Sequence, residues 1–385
     1  MFSRRSFFDL TPNSLSRALA EAQSSVSTLI DLTQSNPTAA DLPYECEAVR
    51  VATACASADG YTPMAFGLRS AREAVGRELA AQGPAVDPDR IVLTASTSEA
   101  YAFLFKLLCD PGDEVLVPCP SYPLFAHLAQ LECVRAVPYR VAYDGAWHLD
   151  LASVQAARSS RTRAIMTVSP NNPTGSYLKK SELSALGDLG LPIVSDEVFA
   201  QYPLREDGSR AGSALECATA PLIFGLGGLS KLAALPQLKL AWIAVGGRDD
   251  RVAGALGRLE VIADAFLSVG GPVQHALPSL FGAGRVTADA IRVRTRENLV
   301  WLGRRVAGSA ATLLDAEGGW YATLRLPSTR SEDDWVHALL VEDGVYVHPG
   351  HFFDFEREPY VIVSLLTRPD AFREGMRRVL ARVSG

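Results

Sequence analysis

Between about residue 90 and about residue 250, short, almost wholly apolar runs alternate with stretches whose apolar positions recur every three to four residues. The runs at 91–94, 114–117, 134–138, 164–168, 192–194, 222–224 and 241–245 are too short and too continuous for surface helices, and predict strands buried on both faces. The periodic stretches at 98–108 and 181–189 predict helices between them. Strand and helix in alternation give a doubly wound, mostly parallel sheet covered by helices, an α/β fold. After Gly282-Ala283-Gly284 the texture changes to a long Arg-rich amphipathic stretch, 287–306, and then to a Gly-rich strand-like segment, 318–326. The remainder predicts helix, strand (345–348), loop, strand (360–365) and closing helix (370–383), an α+β set. The chain therefore divides into an N-terminal arm that joins the small domain (1–45), a large domain (46–284) and a smaller domain (285–385), the small domain being built from both chain ends.

Composition narrows the function classes. The 385 residues are 48% apolar, enough for a large core, and 43 acidic against 37 basic side chains leave a net charge of −6, which suits no nucleic-acid partner. The longest stretches without Asp, Glu, Lys or Arg, 265–284 and 115–131, are broken by prolines, so no membrane span is predicted. Ser3-Arg4-Arg5-Ser6-Phe7-Phe8 looks like an export signal, but Asp9, Pro12, Asn13 and Arg17 follow where an apolar run is required. Six cysteines (46, 55, 109, 119, 133 and 217) form no C-x-x-C pair and are read as reduced, buried thiols of a cytoplasmic protein. The six histidines show no metal-ligand spacing, and no metal is predicted; His348 and His351 merely flank the Pro349-Gly350 turn.

Lysine is scarce: only Lys106, Lys179, Lys180, Lys231 and Lys239 stand among the 37 basic residues. Lys231 follows a predicted buried strand in the uncharged segment Gly225-Leu-Gly-Gly-Leu-Ser-Lys-Leu-Ala-Ala-Leu-Pro236. An ammonium there is costly unless neutralised, paired or used covalently, and a Schiff-base lysine fits that setting. Gly225, Gly227 and Gly228 also look like a degraded dinucleotide fingerprint, but the third glycine is misplaced, and turn glycines are the simpler reading. Ser169-Pro-Asn-Asn-Pro-Thr-Gly175 lies at the C-terminal end of a predicted strand, where open α/β sheets place ligands. Asp196 and Glu197 end another apolar strand. They are either a solvated strand end or include a carboxylate that keeps a ring nitrogen protonated.

Together these segments resemble the class I and II aminotransferases of the fold type I pyridoxal-phosphate enzymes, in order and over nearly the whole chain. The resemblance implies that Lys231 bonds the cofactor pyridoxal 5′-phosphate, Asp196 pairs with its pyridine nitrogen and Asn172 bonds its phenolic oxygen and also contacts the substrate. It assigns Ser96, Thr97, Ser98 and Ser230 to the phosphate, where hydroxyls and a helix N-terminus suit a dianion, and Tyr122 to stacking on the ring. It gives Tyr61 to the phosphate of a neighbouring subunit, hence a homodimer. Three positions depart from the pattern. Phe199 replaces a tyrosine that bonds the phenolic oxygen, and Lys239 replaces a phosphate-binding arginine, keeping the charge but not the bidentate fork. Ile362 stands where the carboxylate-binding arginine is expected. Arg368 is the candidate substitute for that charge, while Asn36, in a loop resembling the family's substrate loop, is a candidate for backbone contacts. The implied activity is transfer of an amino group from an amino acid or related amine to an oxo acid. The rivals are a lyase, synthase, decarboxylase or amino-acid oxidase of the same fold and, remotely, a non-catalytic sensing module.

Overall fold

The computed structural model describes residues 1–25, 29–54, 62–355 and 359–385. Its centre is an eight-stranded sheet in the spatial order Ile91–Thr94, Ala241–Gly247, Leu222–Gly228, Ile193–Asp196, Thr162–Val168, Glu114–Cys119, Arg135–Tyr143, Trp147–Leu149. Ala241–Gly247 runs antiparallel to both its neighbours, Trp147–Leu149 is antiparallel to its one neighbour, and the other six strands share one direction. All seven strands predicted from apolar runs are present, most of them longer than predicted because their polar ends continue the ladder. The Trp147–Leu149 edge strand, only three residues long, carries no such run.

Alternation along each strand feeds two cores. Val115, Met166, Val194 and Leu226 pack with Tyr101, Phe105 and Leu104 of the helix Thr97–Leu108 on one face. Leu116, Ile165, Ile193 and Ile223 pack with Leu183 and Leu186 of the helix Lys180–Gly187 on the other. With both faces covered, the strands have no polar side to show, which is why they read as unbroken apolar runs.

One helix, Gly271–Val306, runs through the change of texture at 282–284, where the sequence predicted a helix beginning only at 287. It leads to a four-stranded antiparallel sheet ordered Thr312–Leu313, Tyr321–Arg325, Tyr360–Ser364, His348–Pro349. Ile30–Asp31 pairs in parallel with Val345–Tyr346, and Leu32 joins the core of that small sheet, so both chain ends build this part. None of the five described cysteines forms a disulfide, but Cys46 is exposed and among them only Cys217 is buried, so the expectation of uniformly buried thiols fails.

A buried ion cluster ties the sheet's loops to the small domain. Glu317, 2% exposed, receives Lys179 at 2.6 Å and Arg205 at 3.0 Å, and accepts the Tyr177 N–H at 3.0 Å. Gly175, at φ +74°, closes the turn against this segment; a Cβ there would stand 2.7 Å from the Gly318 carbonyl. Replacing Glu317 by Ala leaves Lys179 with Asp207 and Arg205 with Asp315 but takes the acceptor from the buried Tyr177 N–H, and is expected to lower unfolding stability by about 2 kcal/mol in urea titrations.

Candidate active site

The six parallel strands end on one edge of the sheet, and the predicted site segments follow those ends. Ser96 caps the helix Thr97–Leu108: its hydroxyl accepts the Glu99 N–H at 3.2 Å while the Glu99 carboxylate accepts the Ala95 N–H at 2.7 Å, a local pairing that fixes the helix start. The amides of Thr97 and Ser98, at the first two helical positions, have no intrahelical acceptor, and their side chains are half-buried. Asn172 is buried, and its amide oxygen has no partner among the described residues.

Asp196 ends the Ile193–Asp196 strand on the same face as Val194, toward the helix Thr97–Leu108. The Tyr101 hydroxyl donates to its carboxylate at 3.1 Å and the Val198 N–H at 3.2 Å. Burial outweighs these donors and the nearby Lys231 charge, and pushes the carboxyl up to about 6. Glu197 turns to the opposite face, where the Ser213 hydroxyl (2.8 Å) and the Ala214 N–H (2.7 Å) hold it. Burial lifts it to about 7.

Lys231 lies in the short helix Leu229–Leu232, directly after the Leu222–Gly228 strand. Its ammonium stands 4.9 Å from the Trp320 ring centre and 5.5 Å from that of Phe199. Burial pulls it down to about 8, against the opposing pull of the Asp196 charge. Its backbone is pinned as well: Tyr202 donates its hydroxyl to the Lys231 carbonyl at 2.6 Å, and the Gln201 amide reaches the carbonyls of Lys231 and Leu232. Arg292 from the long helix in turn holds the Gln201 side chain at 3.0 Å. The glycines before Lys231 serve packing. A Cβ on Gly227 would stand 2.6 Å from the Trp242 indole, which leaves a dinucleotide fingerprint no part in explaining them.

Tyr122 is near enough to Asp196 that burial and the carboxylate charge both raise its hydroxyl. Phe199 is buried edge-on between Trp320 at 5.1 Å and Tyr321 at 6.4 Å. Ser230 is half-buried, and Lys239 is exposed, with a left-handed backbone at φ 47°. Tyr61 lies outside the described residues. Asn36 is exposed, and its own turn engages it: its side chain accepts from Thr38, its N–H goes to Gln34 and its carbonyl receives Ala39. Arg368 is bonded through its guanidinium to Asp370 at 2.8 and 2.9 Å. Ile362 is fully buried against Phe199, Trp320 and Tyr321.

Five residues at the site were not predicted to take part in it. Trp320 and Tyr321 look like small-domain core, and they are core, yet the Trp320 face also borders Lys231. Tyr101 and the Gln201–Tyr202 pair carry no motif. The one available signal is a tyrosine on an otherwise apolar helix face, whose buried hydroxyl must find an acceptor.

Residues 10–370 match the family described as aminotransferase class I and II. The chain belongs to that family. This aminotransferase is 26% identical over 343 residues to the glutamate-pyruvate aminotransferase AlaA of Escherichia coli K12, covering 86% of this chain and 84% of that one. It is 27% identical over 312 residues to the alanine aminotransferase of Mycobacterium tuberculosis H37Rv, covering 77% and 72%. Among solved structures it superposes on the alanine aminotransferase from Pyrococcus furiosus with a TM-score of 0.88 at 21% identity, over 100% of this chain and 99% of that one, which establishes the fold. Aminotransferases of this class and fold use pyridoxal 5′-phosphate, and the residues fit it: an under-compensated buried carboxyl at Asp196, a half-buried lysine of depressed basicity, an unpartnered Asn172 amide oxygen and an open helix N-terminus. Among the described residues no helix is long and apolar enough to cross a membrane.

Proposed function

We propose that Lys231 carries the amino-group transfer of this aminotransferase, with Asp196, Asn172, Tyr122, Ser96, Thr97, Ser98, Ser230 and Lys239 holding pyridoxal 5′-phosphate. The observation behind this reading is Lys231 itself: a lysine in an uncharged segment, walled by two aromatic rings, drawn down to about 8, with a buried carboxylate as its neighbouring charge. The cofactor supplies, when bound, an electron sink that acidifies the hydrogen on the amine-bearing carbon.

The protein's own groups do the rest. Asp196 keeps the proton on the ring nitrogen, and a cation there relieves the burial that now raises its carboxyl. Tyr101 and the Val198 N–H orient that carboxylate. Once a substrate amine takes its place, the Lys231 Nζ is free to accept a proton from the substrate carbon and return it to the cofactor side. A basicity near 8 suits such two-way transfer around neutral pH. The bonds of Tyr202 and Gln201 to the Lys231 segment keep the amine on station during that exchange. The Thr97 and Ser98 amides, with the hydroxyls of Ser96 and Ser230, receive the phosphate.

Phe199 offers no donor to the cofactor's phenolic oxygen. Phe199→Tyr is expected to lower the pKa of the lysine–cofactor linkage by about one unit, because a hydrogen bond to the anionic oxygen favours the deprotonated form. Absorbance titration of the two holoproteins measures it, and coincident curves would mean that the ring edge faces elsewhere.

The reading includes a homodimer in the cytoplasm. Its support is the Tyr61 resemblance, together with Met64 and Val261, exposed apolar residues that share an open hollow of about 510 Å³ with Pro63 and Phe66 and suit a second copy. Sedimentation of the holoprotein at twice the mass of one chain is expected. The activity itself is tested by mixing holoenzyme with amino donors and following cofactor absorbance. Reversible conversion with one oxo product per nitrogen transferred is expected, whereas steady release of ammonia or carbon dioxide would overturn the reading.

A further inference from the structure

We propose that a hollow on the second face of the large sheet, behind the lysine site, binds a small organic cation with an apolar body, its charged group set against Glu197. The hollow follows from the sequence of two strands. Ile193 and Ile223 fill this face of the sheet in the core they share with Leu183 and Leu186. Further along, the positions that face the same way are Gly225 and Gly227 and, on the neighbouring strand, Ala244, the partner of Gly225. These residues offer no side chain longer than a methyl. A cavity of about 560 Å³ therefore opens between the sheet, the end of the helix Arg69–Gln82 and the long helix. Trp242, whose indole crosses Gly227, and Phe281 give it aromatic walls, and Leu79 and Leu215 aliphatic ones.

The charges suit a cation. Glu197 stands over the glycine floor, its Oε2 3.9 Å from where a Cβ on Gly225 would lie. The Ser213 hydroxyl and the Ala214 N–H fix the carboxylate, but both donors are neutral; burial outweighs them, the Asp196 charge adds to it, and the carboxyl is lifted to about 7. Arg285 is largely exposed and lies 3.9 Å from Glu78, while Arg292 gives its guanidinium to the Gln201 side chain and to Asp289. Among the described residues the lining thus sets three carboxylates against two guanidiniums, and each guanidinium has an acid beside it. A cation against Glu197 gains a charge-assisted bond in a partly desolvated place and keeps the carboxylate ionised, whereas an anion meets a like charge.

The pleat that sends Asp196 to the cofactor side sends Glu197 here, so the two sites lie back to back across the sheet. Gln201 lines the hollow and also bonds the carbonyls of Lys231 and Leu232. An occupant therefore touches a side chain that holds the lysine segment.

The test is calorimetry on the holoenzyme, with its cofactor site filled, using benzamidine, an aromatic amidinium, and benzamide, its uncharged counterpart. Benzamidine is expected to bind about tenfold or more tightly than benzamide. Equal binding of the two, or binding of neither at millimolar concentration, overturns the proposal. Glu197→Gln keeps the shape of the side chain and is expected to abolish the preference; a preference that survives puts the amidinium elsewhere and overturns the proposal too. If that variant does not fold, a crystal structure of the wild-type holoenzyme with benzamidine decides, an amidinium within hydrogen-bond reach of Glu197 supporting the proposal and any other seat overturning it. The outcome is separate from the assignment of Lys231, which borohydride mapping reads on its own.

Discussion

Lys231→Ala is expected to lower the transfer rate by about 10⁴-fold or more, the scale of losing a positioned general base together with the covalent attachment, while leaving a folded protein. The first half follows from geometry. Lys106 pairs with Glu132 at 2.5 Å, Lys179 belongs to the Glu317 cluster, Lys180 bonds the Gly208 carbonyl and Lys239 is exposed, so no other described lysine is placed to substitute. The second half follows from the electrostatics of burial. In the cofactor-free protein the ammonium is held below its unfolded basicity, so the unfolded chain binds more protons between about 8 and 10.5. This group therefore opposes folding below about pH 8 and ceases to do so above 10.5. Removing it should not reduce the thermal stability of the cofactor-free protein at pH 7, since the loss of stem packing is offset by removal of a desolvated charge. Rate measurement, peptide mapping after borohydride reduction and thermal unfolding check the three parts. Label on Lys239 or Lys106 would sink the assignment.

The sheet was readable because burial on both faces writes itself as continuous apolar runs, and strand positions from Ile91 to Val245 follow from them. What the runs do not show is where each strand stops. Asp196 and the Gly227-Gly228 end of its neighbour continue the ladder in residues that look like loop. The long helix was only half visible, because Gly271, Pro272 and Pro278 at its start are helix-ending signals by composition, overridden here by packing of Leu277, Leu280 and Phe281. In the site, Lys231 and Asp196 could be singled out because charge in an apolar run is anomalous on any reading. Trp320 could not, since an aromatic beside an apolar strand is what a core requires, and nothing local marks that the bend before Tyr321–Arg325 sets its ring beside Lys231. The supporting contacts of Gln201 and Arg292 span 91 residues and have no local signature.

Asp196→Asn is expected to cost about 10³-fold in rate, whereas Glu197→Gln costs less than about tenfold, although the two carboxyls are neighbours in sequence and both are buried. The pleat sends them to opposite faces: Asp196 toward Tyr101, Tyr122 and Lys231, Glu197 toward Ser213 and Ala214. An amide at 196 still accepts from Tyr101 and Val198, so the loop should keep its shape, but it has no charge with which to hold a proton on a ring nitrogen. Stability should move the other way. With its carboxyl raised from 3.8 to about 6, folded Asp196 binds more protons than the unfolded chain within that window. Its contribution to stability is therefore full below about pH 4 and is lost as pH rises through 6, a difference on the order of 3 kcal/mol by pH 7 in the cofactor-free protein. Asp196→Asn removes that dependence, so the cofactor-free variant should be at least as stable as wild type at pH 7 and show a flatter stability profile between pH 4 and 7. Urea unfolding across that range, beside half-reaction rates for both variants, tests the pair of expectations. Equal rate losses at 196 and 197 would assign the ring-nitrogen contact to the wrong acid, and a destabilised Asn variant would mean that the carboxylate already has a countercharge without the cofactor.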